Sequence, residues 1–170
     1  MSGIETRGYY TLDEVLGLPG CPSLEQLEGR RLAVIERGQA LPCNPCETGC
    51  LTGALSIGDP ITNVPVLNVD ACDGCGNCMI DCPGLAIFVV DMSRDDGRAE
   101  VWMPHEFLPL PKVGNTVGLR GRSGALVGEG TILKVRRTKR LNRTAIVHVE
   151  MDRELAMQAR AIQVRREREP

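Results

Sequence analysis

The chain has 170 residues, with 22 acidic, 20 basic and 2 histidine side chains and a formal net charge of −2. It is 42% hydrophobic, which fits a small globular protein of one domain or two small ones and excludes a solvated tail or linker. Its longest apolar run, Leu85 to Val90, falls far short of the ~20 residues of a helical membrane span.

The start, Met1-Ser2-Gly3-Ile4-Glu5, lacks a basic segment leading into an apolar core, so a reducing cytoplasm is the expected setting. Thr11-Leu12-Asp13-Glu14 is a capping box, with Glu14 three residues after Thr11, and predicts a short helix through Val15, Leu16 and Leu18. Ser23-Leu24-Glu25-Gln26 predicts a second helix that continues through Leu27. Between them, Pro19-Gly20-Cys21-Pro22 is a tight loop. Arg31 to Glu36, with Leu32, Val34 and Ile35, reads as a strand. Aromatics are limited to Tyr9, Tyr10, Phe88, Trp102 and Phe107, so the core must be Val, Leu, Ile and Ala.

Seven of the eight cysteines then fall in two copies of one pattern, 32 residues apart. Cys72, Cys75, Cys78 and Cys82, followed by Pro83, complete the run C-x2-C-x2-C-x3-C-P, the iron–sulfur spacing of bacterial ferredoxins. Cys43, Cys46 and Cys50 repeat it with Ala40 in the leading position and Leu51 where proline is usual. The repeat continues outside the cysteines, since Ala54, Leu55 and Ile57 recur as Ala86, Ile87 and Val89. Each run should lead into a short helix and then a strand, and Ile61 to Val69 should be the strand entering the second run.

Three thiolates at two-residue intervals wrap three corners of a cubane, and the fourth cysteine of each run reaches the other cluster. Cys50, Cys72, Cys75 and Cys78 are thus expected to hold one [4Fe–4S] cluster. Cys43, Cys46 and Cys82 form a second set that lacks one thiolate, and the spare Cys21 is its candidate fourth ligand for a second [4Fe–4S] cluster. A [3Fe–4S] cluster, a non-cysteine ligand and an empty site are the alternatives. Zinc also uses C-x2-C pairs, but it does not require three cysteines in seven residues plus a fourth before proline. Clustered cysteines in a reducing compartment argue against disulfides.

Residues 1–110 carry 6 basic and 16 acidic side chains, and residues 111–170 carry 14 and 6. The sign changes at Leu108-Pro109-Leu110-Pro111, a candidate connector. Beyond it, Val113 to Leu119, Gly130 to Val135 and Ala145 to Val149 read as strands, and Asp152 should cap a helix through Leu155, Ala156, Ala159 and Ile162. The expected class is α+β, with an N-terminal helical cover carrying Cys21 (residues 1–41), a dicluster ferredoxin-like domain (42–110) and a small β-barrel-like docking region (111–170). Gly128-x-Gly130 lacks the third glycine and following helix of a dinucleotide fingerprint. His105 and His148 have no ligand spacing. The basic stretch Arg136, Arg137, Lys139, Arg140 and Arg143 has neither stacking aromatics nor a nucleic-acid motif, so it is expected to face solvent or an acidic partner.

Four stretches resemble one family: Pro42-Cys43-Asn44-Pro45-Cys46-Glu47, Gly58-Asp59-Pro60-Ile61-Thr62-Asn63, Cys82-Pro83-Gly84-Leu85-Ala86-Ile87 and Glu106-Phe107-Leu108-Pro109-Leu110-Pro111. The chain is similar to small ferredoxin-type subunits that accompany flavin-dependent amine, proline or hydroxyproline dehydrogenases. Such relatives are expected to carry a cysteine near the position of Arg37, so its absence here favours Cys21 as substitute. The resemblance implies an electron-transfer subunit with no catalytic residues of its own, in a hetero-oligomer whose FAD sits on a partner chain. A free, diffusible two-cluster ferredoxin is the alternative.

Overall fold

The computed structural model describes residues 3–137, 139–141 and 144–163. Arg143 of the basic stretch lies outside them. Three short helices open the chain: α1 (Gly3–Arg7), α2 (Leu12–Leu16) and α3 (Leu24–Leu27). Both capping boxes form. The Glu14 backbone N–H donates to Thr11 Oγ1 at 3.3 Å, and the Thr11 N–H donates back to Glu14 Oε2 at 2.8 Å. Ser23 and Gln26 repeat the exchange at 3.2 and 2.9 Å. These bonds satisfy N–H groups that a helix start leaves unpaired.

Strand β1 (Arg31–Ile35) follows, as its apolar run predicts. The cysteine runs lead into single-turn helices, α4 (Pro45–Thr48) and α5 (Asn77–Ile80). Between them β2 (Leu55–Ser56) and β3 (Val66–Leu67) form a two-residue ladder, so the strand expected over Ile61 to Val69 is confined to its last part. The remaining strands are β4 (Ile87–Asp91), β5 (Arg98–His105), β6 (Thr116–Gly121), β7 (Leu126–Arg136), β8 (Ala145–Asp152) and β9 (Ala159–Ile162).

One antiparallel sheet takes seven of these strands in the order β1-β4-β5-β8-β7-β6-β9. Its longest uniform pairing joins β5 to β8, from Arg98↔Asp152 to His105↔Ala145. The sheet thus runs without a break across the proline-rich point at Leu108–Pro111. Because side chains alternate along a strand, the sheet has two apolar faces. Leu32, Val34, Val101, Met103, Val147 and Val149 lie on the first, with Leu119, Ile132 and Ile162 brought over them. Ala33, Ile35, Ile87, Val89 and Ile146 lie on the second, with Cys46, Cys78 and Met79. Each fully buried Leu or Val contributes about 1.5–3 kcal/mol.

Two expectations are corrected. The C-terminal strands do not close a barrel: the sheet is open, with β1 and β9 as hydrogen-bonded edges. Register shifts in β6 and β7, at Leu119/Arg120, Arg120/Gly121 and Ile132/Lys134, curl it. Its edges are then joined by side chains. Glu36, directly after β1, receives Arg122 Nη2 at 2.6 Å and Nε at 2.8 Å, and also pairs with Arg160 Nε of β9. The helix expected after Asp152 is a single 3-10 turn, Arg153–Leu155, followed by β9. The spacing of Leu155, Ala156, Ala159 and Ile162 suits a helix, but the edge of β6 was unpaired. Pairing Leu119↔Ile162 and Arg120↔Ala161 satisfies both backbones.

Candidate metal centre

Cys50, Cys72, Cys75 and Cys78 line one hollow on the second face, although Cys50 belongs to the first run. The loop before α5 reaches this position through two left-handed glycines, Gly74 (φ +64°) and Gly76 (φ +78°). A Cβ on Gly74 would meet the Arg31 carbonyl oxygen at 2.5 Å, and one on Gly76 would meet the Trp102 ring at 3.1 Å. The loop therefore lies flat on β1 and β5. Trp102 forms the floor beneath it. Its Nε1 donates to Glu100 at 2.6 Å, and Arg31 and Arg136 sit over its ring at 5.3 and 5.8 Å.

The electrostatics suit a bound cationic group. Burial pushes the Cys78 thiol up to about 12, and neighbouring Cys72, Cys50 and Cys75 add to the rise. Burial also raises Cys75, as does adjacent Asp73. Burial acts in the same direction on Cys50, but the Thr52 hydroxyl and the N–H groups of Leu55, Ala54 and Thr52 outweigh it and hold this thiol below its ordinary value. Backbone amides aimed at one sulfur form a thiolate cradle. Thiolates so crowded coexist stably only round a compensating positive charge.

Cys43, Cys46 and Cys82 line a larger cavity of about 420 Å³. Burial raises the Cys46 thiol and Cys82 adds to this, while Arg37 opposes it. Arg37 holds the loop, donating from Nη1 to the Cys43 carbonyl at 2.6 Å and from Nη2 to the Asn63 carbonyl. Tyr9, Tyr10, Glu36, Arg122 and Arg160 line it too. Cys21 does not line this cavity. It packs against the first face of the sheet, its Sγ donates to the Pro22 carbonyl at 3.4 Å, and burial and then Glu36 push its thiol up to about 11. Ala40 is exposed.

Among the described residues no group of three or more His, Cys, Asp or Glu side chains is placed to hold a metal ion. His105 and His148 are buried, and His148 Nδ1 pairs with Glu100 at 2.7 Å. The sequence carries no local signal for Glu36, Arg122 and Arg160 on one cavity wall, because they are far apart in the chain.

Over 119 residues, 62% of its length, the chain is 29% identical to ABC transporter E family member 1 of Arabidopsis thaliana, of which this stretch is 19%. It is 28% identical over 121 residues, again 62% of the chain and 19% of the relative, to translation initiation factor RLI1 of Saccharomyces cerevisiae. Over 58 residues, 33% of each chain, it is 33% identical to ferredoxin-type protein NapF of Haemophilus influenzae. The chain thus spans about a fifth of the first two relatives and a third of the last. No family model matches it, and no solved structure does. Among the described residues no helix is long and apolar enough to cross a membrane.

Proposed function

We propose that this protein is the iron–sulfur electron-transfer subunit of a flavin-dependent amine or amino-acid dehydrogenase complex of the proline or hydroxyproline type. The observation that carries the iron–sulfur part is the gathering of Cys50 with Cys72, Cys75 and Cys78 round one hollow. Similarity to a ferredoxin-type protein supports it. Cys50, Cys72, Cys75 and Cys78 would hold one [4Fe–4S] cluster, and Cys43, Cys46 and Cys82 would supply thiolates to a second. When bound, such clusters take and give single electrons. The chain's own residues hold the thiolates in place, exclude water on the Trp102 side, and set the surrounding charge through Arg31, Arg37 and the backbone amides at Cys50.

The subunit part rests on the four family-like stretches and on surface composition. One of those stretches, Glu106 to Pro111, exposes Phe107 and Leu108 by 68% and 78%, with Val113 at 67% close by in sequence. Adjacent exposed apolar groups suit a permanent interface better than a freely diffusing carrier. A flavin-bearing partner would dock here and over the C-terminal strands, and electrons would pass from its FAD through the clusters to another redox centre. Truncation at Pro111 is not a clean test, because β8 pairs with β5 along its whole length. The decisive experiment is gentle purification of the untagged chain from its host. Co-purifying flavin, at a native mass above that of the 18.5 kDa chain, supports the subunit. A flavin-free monomer that exchanges electrons normally with soluble partners refutes it.

A further inference from the structure

We infer that the second cysteine set binds its cluster through three thiolates only, leaving one iron facing a cationic pocket that admits a small anionic ligand with an oxygen or sulfur donor. This deepens, and rests on, the iron–sulfur reading. The first observation is that Cys21 is not among the residues lining the cavity of that set. Along β1, Leu32 and Val34 belong to one face of the sheet and Ala33 and Ile35 to the other. Cys46 belongs to the buried cluster of Ala33 and Ile35, which Cys82 packs against, whereas Cys21 packs against the cluster that holds Leu32 and Val34, and its loop touches Ile35 through Gly20.

The Cys21 loop is also pinned. The Ile35 N–H donates to the Gly20 carbonyl at 3.1 Å, the Leu67 N–H to the Pro19 carbonyl at 3.0 Å, and the Cys21 N–H to the Leu18 carbonyl at 3.0 Å. There is no slack around Gly20, where an added Cβ would meet Ile35 Cβ at 2.9 Å and the Pro65 carbonyl oxygen at 3.1 Å.

The second observation is what the cavity offers instead. Among its described lining residues Glu36 is the one carboxylate, and Arg122 and Arg160 already engage it. No histidine lines it. Arg37, Arg122 and Arg160 against Glu36 leave the wall with an excess of positive charge. The Nε of Arg37 is buried without a hydrogen-bond partner. A vacant coordination position beside this net positive charge therefore favours an anion from solution.

The test uses full-length protein reconstituted anaerobically with 57Fe. Cys21→Ser should keep the iron content and Mössbauer spectrum of the native chain, whereas Cys43→Ser should lose about half of the iron. In both the native chain and Cys21→Ser, one iron should differ from the rest, and 2-mercaptoethanol should shift its signal toward that of thiolate-bound iron. Ferricyanide should remove that iron: [4Fe–4S]2+ gives [3Fe–4S]+ and Fe2+, and the released electron reduces ferricyanide to ferrocyanide. Loss of iron in Cys21→Ser, or a native spectrum blind to 2-mercaptoethanol, overturns the three-thiolate site and leaves the iron–sulfur reading standing. A native chain that binds no iron at all overturns both.

Discussion

Replacing Glu36 with glutamine removes the one negative charge between two buried guanidinium groups. The side chains of Glu36, Arg122 and Arg160 are 9%, 9% and 5% exposed, so water screens them little. Arg122 binds the carboxylate with two nitrogens, at 2.6 and 2.8 Å, and Arg160 adds a third contact. At an effective dielectric of about 20, one charge pair at ~4 Å interacts by about 4 kcal/mol. Removing one partner of a buried pair costs about 3–5 kcal/mol, because the other charge stays buried. Here the same three groups join the two edges of an open sheet, so the full range should be felt. Urea unfolding of cluster-loaded Glu36→Gln at neutral pH, followed by circular dichroism, should show a loss of about 3–5 kcal/mol. The pH dependence has a definite sign. Burial alone would raise the Glu36 carboxyl, but Arg160 and Arg122 hold it below its ordinary value. Its contribution is therefore present above the ordinary glutamate value of about 4.3 and disappears as pH falls through the lower folded value. Wild type and variant should converge in acid. A loss below about 1 kcal/mol, the scale of exposed pairs, would show that Glu36 is not acting as the partner of two buried charges.

Cys50→Ala should empty the first hollow, halving iron content to about one cluster. Trp102, the single tryptophan, lies beneath that loop, so its fluorescence should brighten in Cys50→Ala and stay quenched in Cys43→Ala. Gly74→Ala forces an L-residue to φ +64° against the Arg31 carbonyl. The conformation alone costs about 1–2 kcal/mol, and a thermal melt should show that loss with reduced iron at the first site. Phe107→Ser with Leu108→Ser should leave iron unchanged and strip flavin from the co-purified complex. Retained flavin would move the docking surface elsewhere.

The short-range features of this protein follow from its residues. Thr11 with Glu14 and Ser23 with Gln26 specify helix starts, because the bonds involved span only three residues. The 32-residue repeat likewise brings Cys50 beside the second run, since equal spacing in two copies makes equal loops. What depended on distant partners was not legible. β5 alternates Ala99, Val101 and Met103 against Arg98, Glu100 and Trp102, but nothing local says that Ala145–Asp152 will pair with it across the proline-rich connector. Ala159 to Ile162 fits a helical period and became a strand because β6 had an unpaired edge. Cys21 had the right chemistry and a rigid loop. That loop is held by distant partners, through the bonds of the Leu67 N–H to Pro19 and of the Ile35 N–H to Gly20. A cysteine count can name the thiols that are available, whereas only the packed sheet determines which of them face the same cavity.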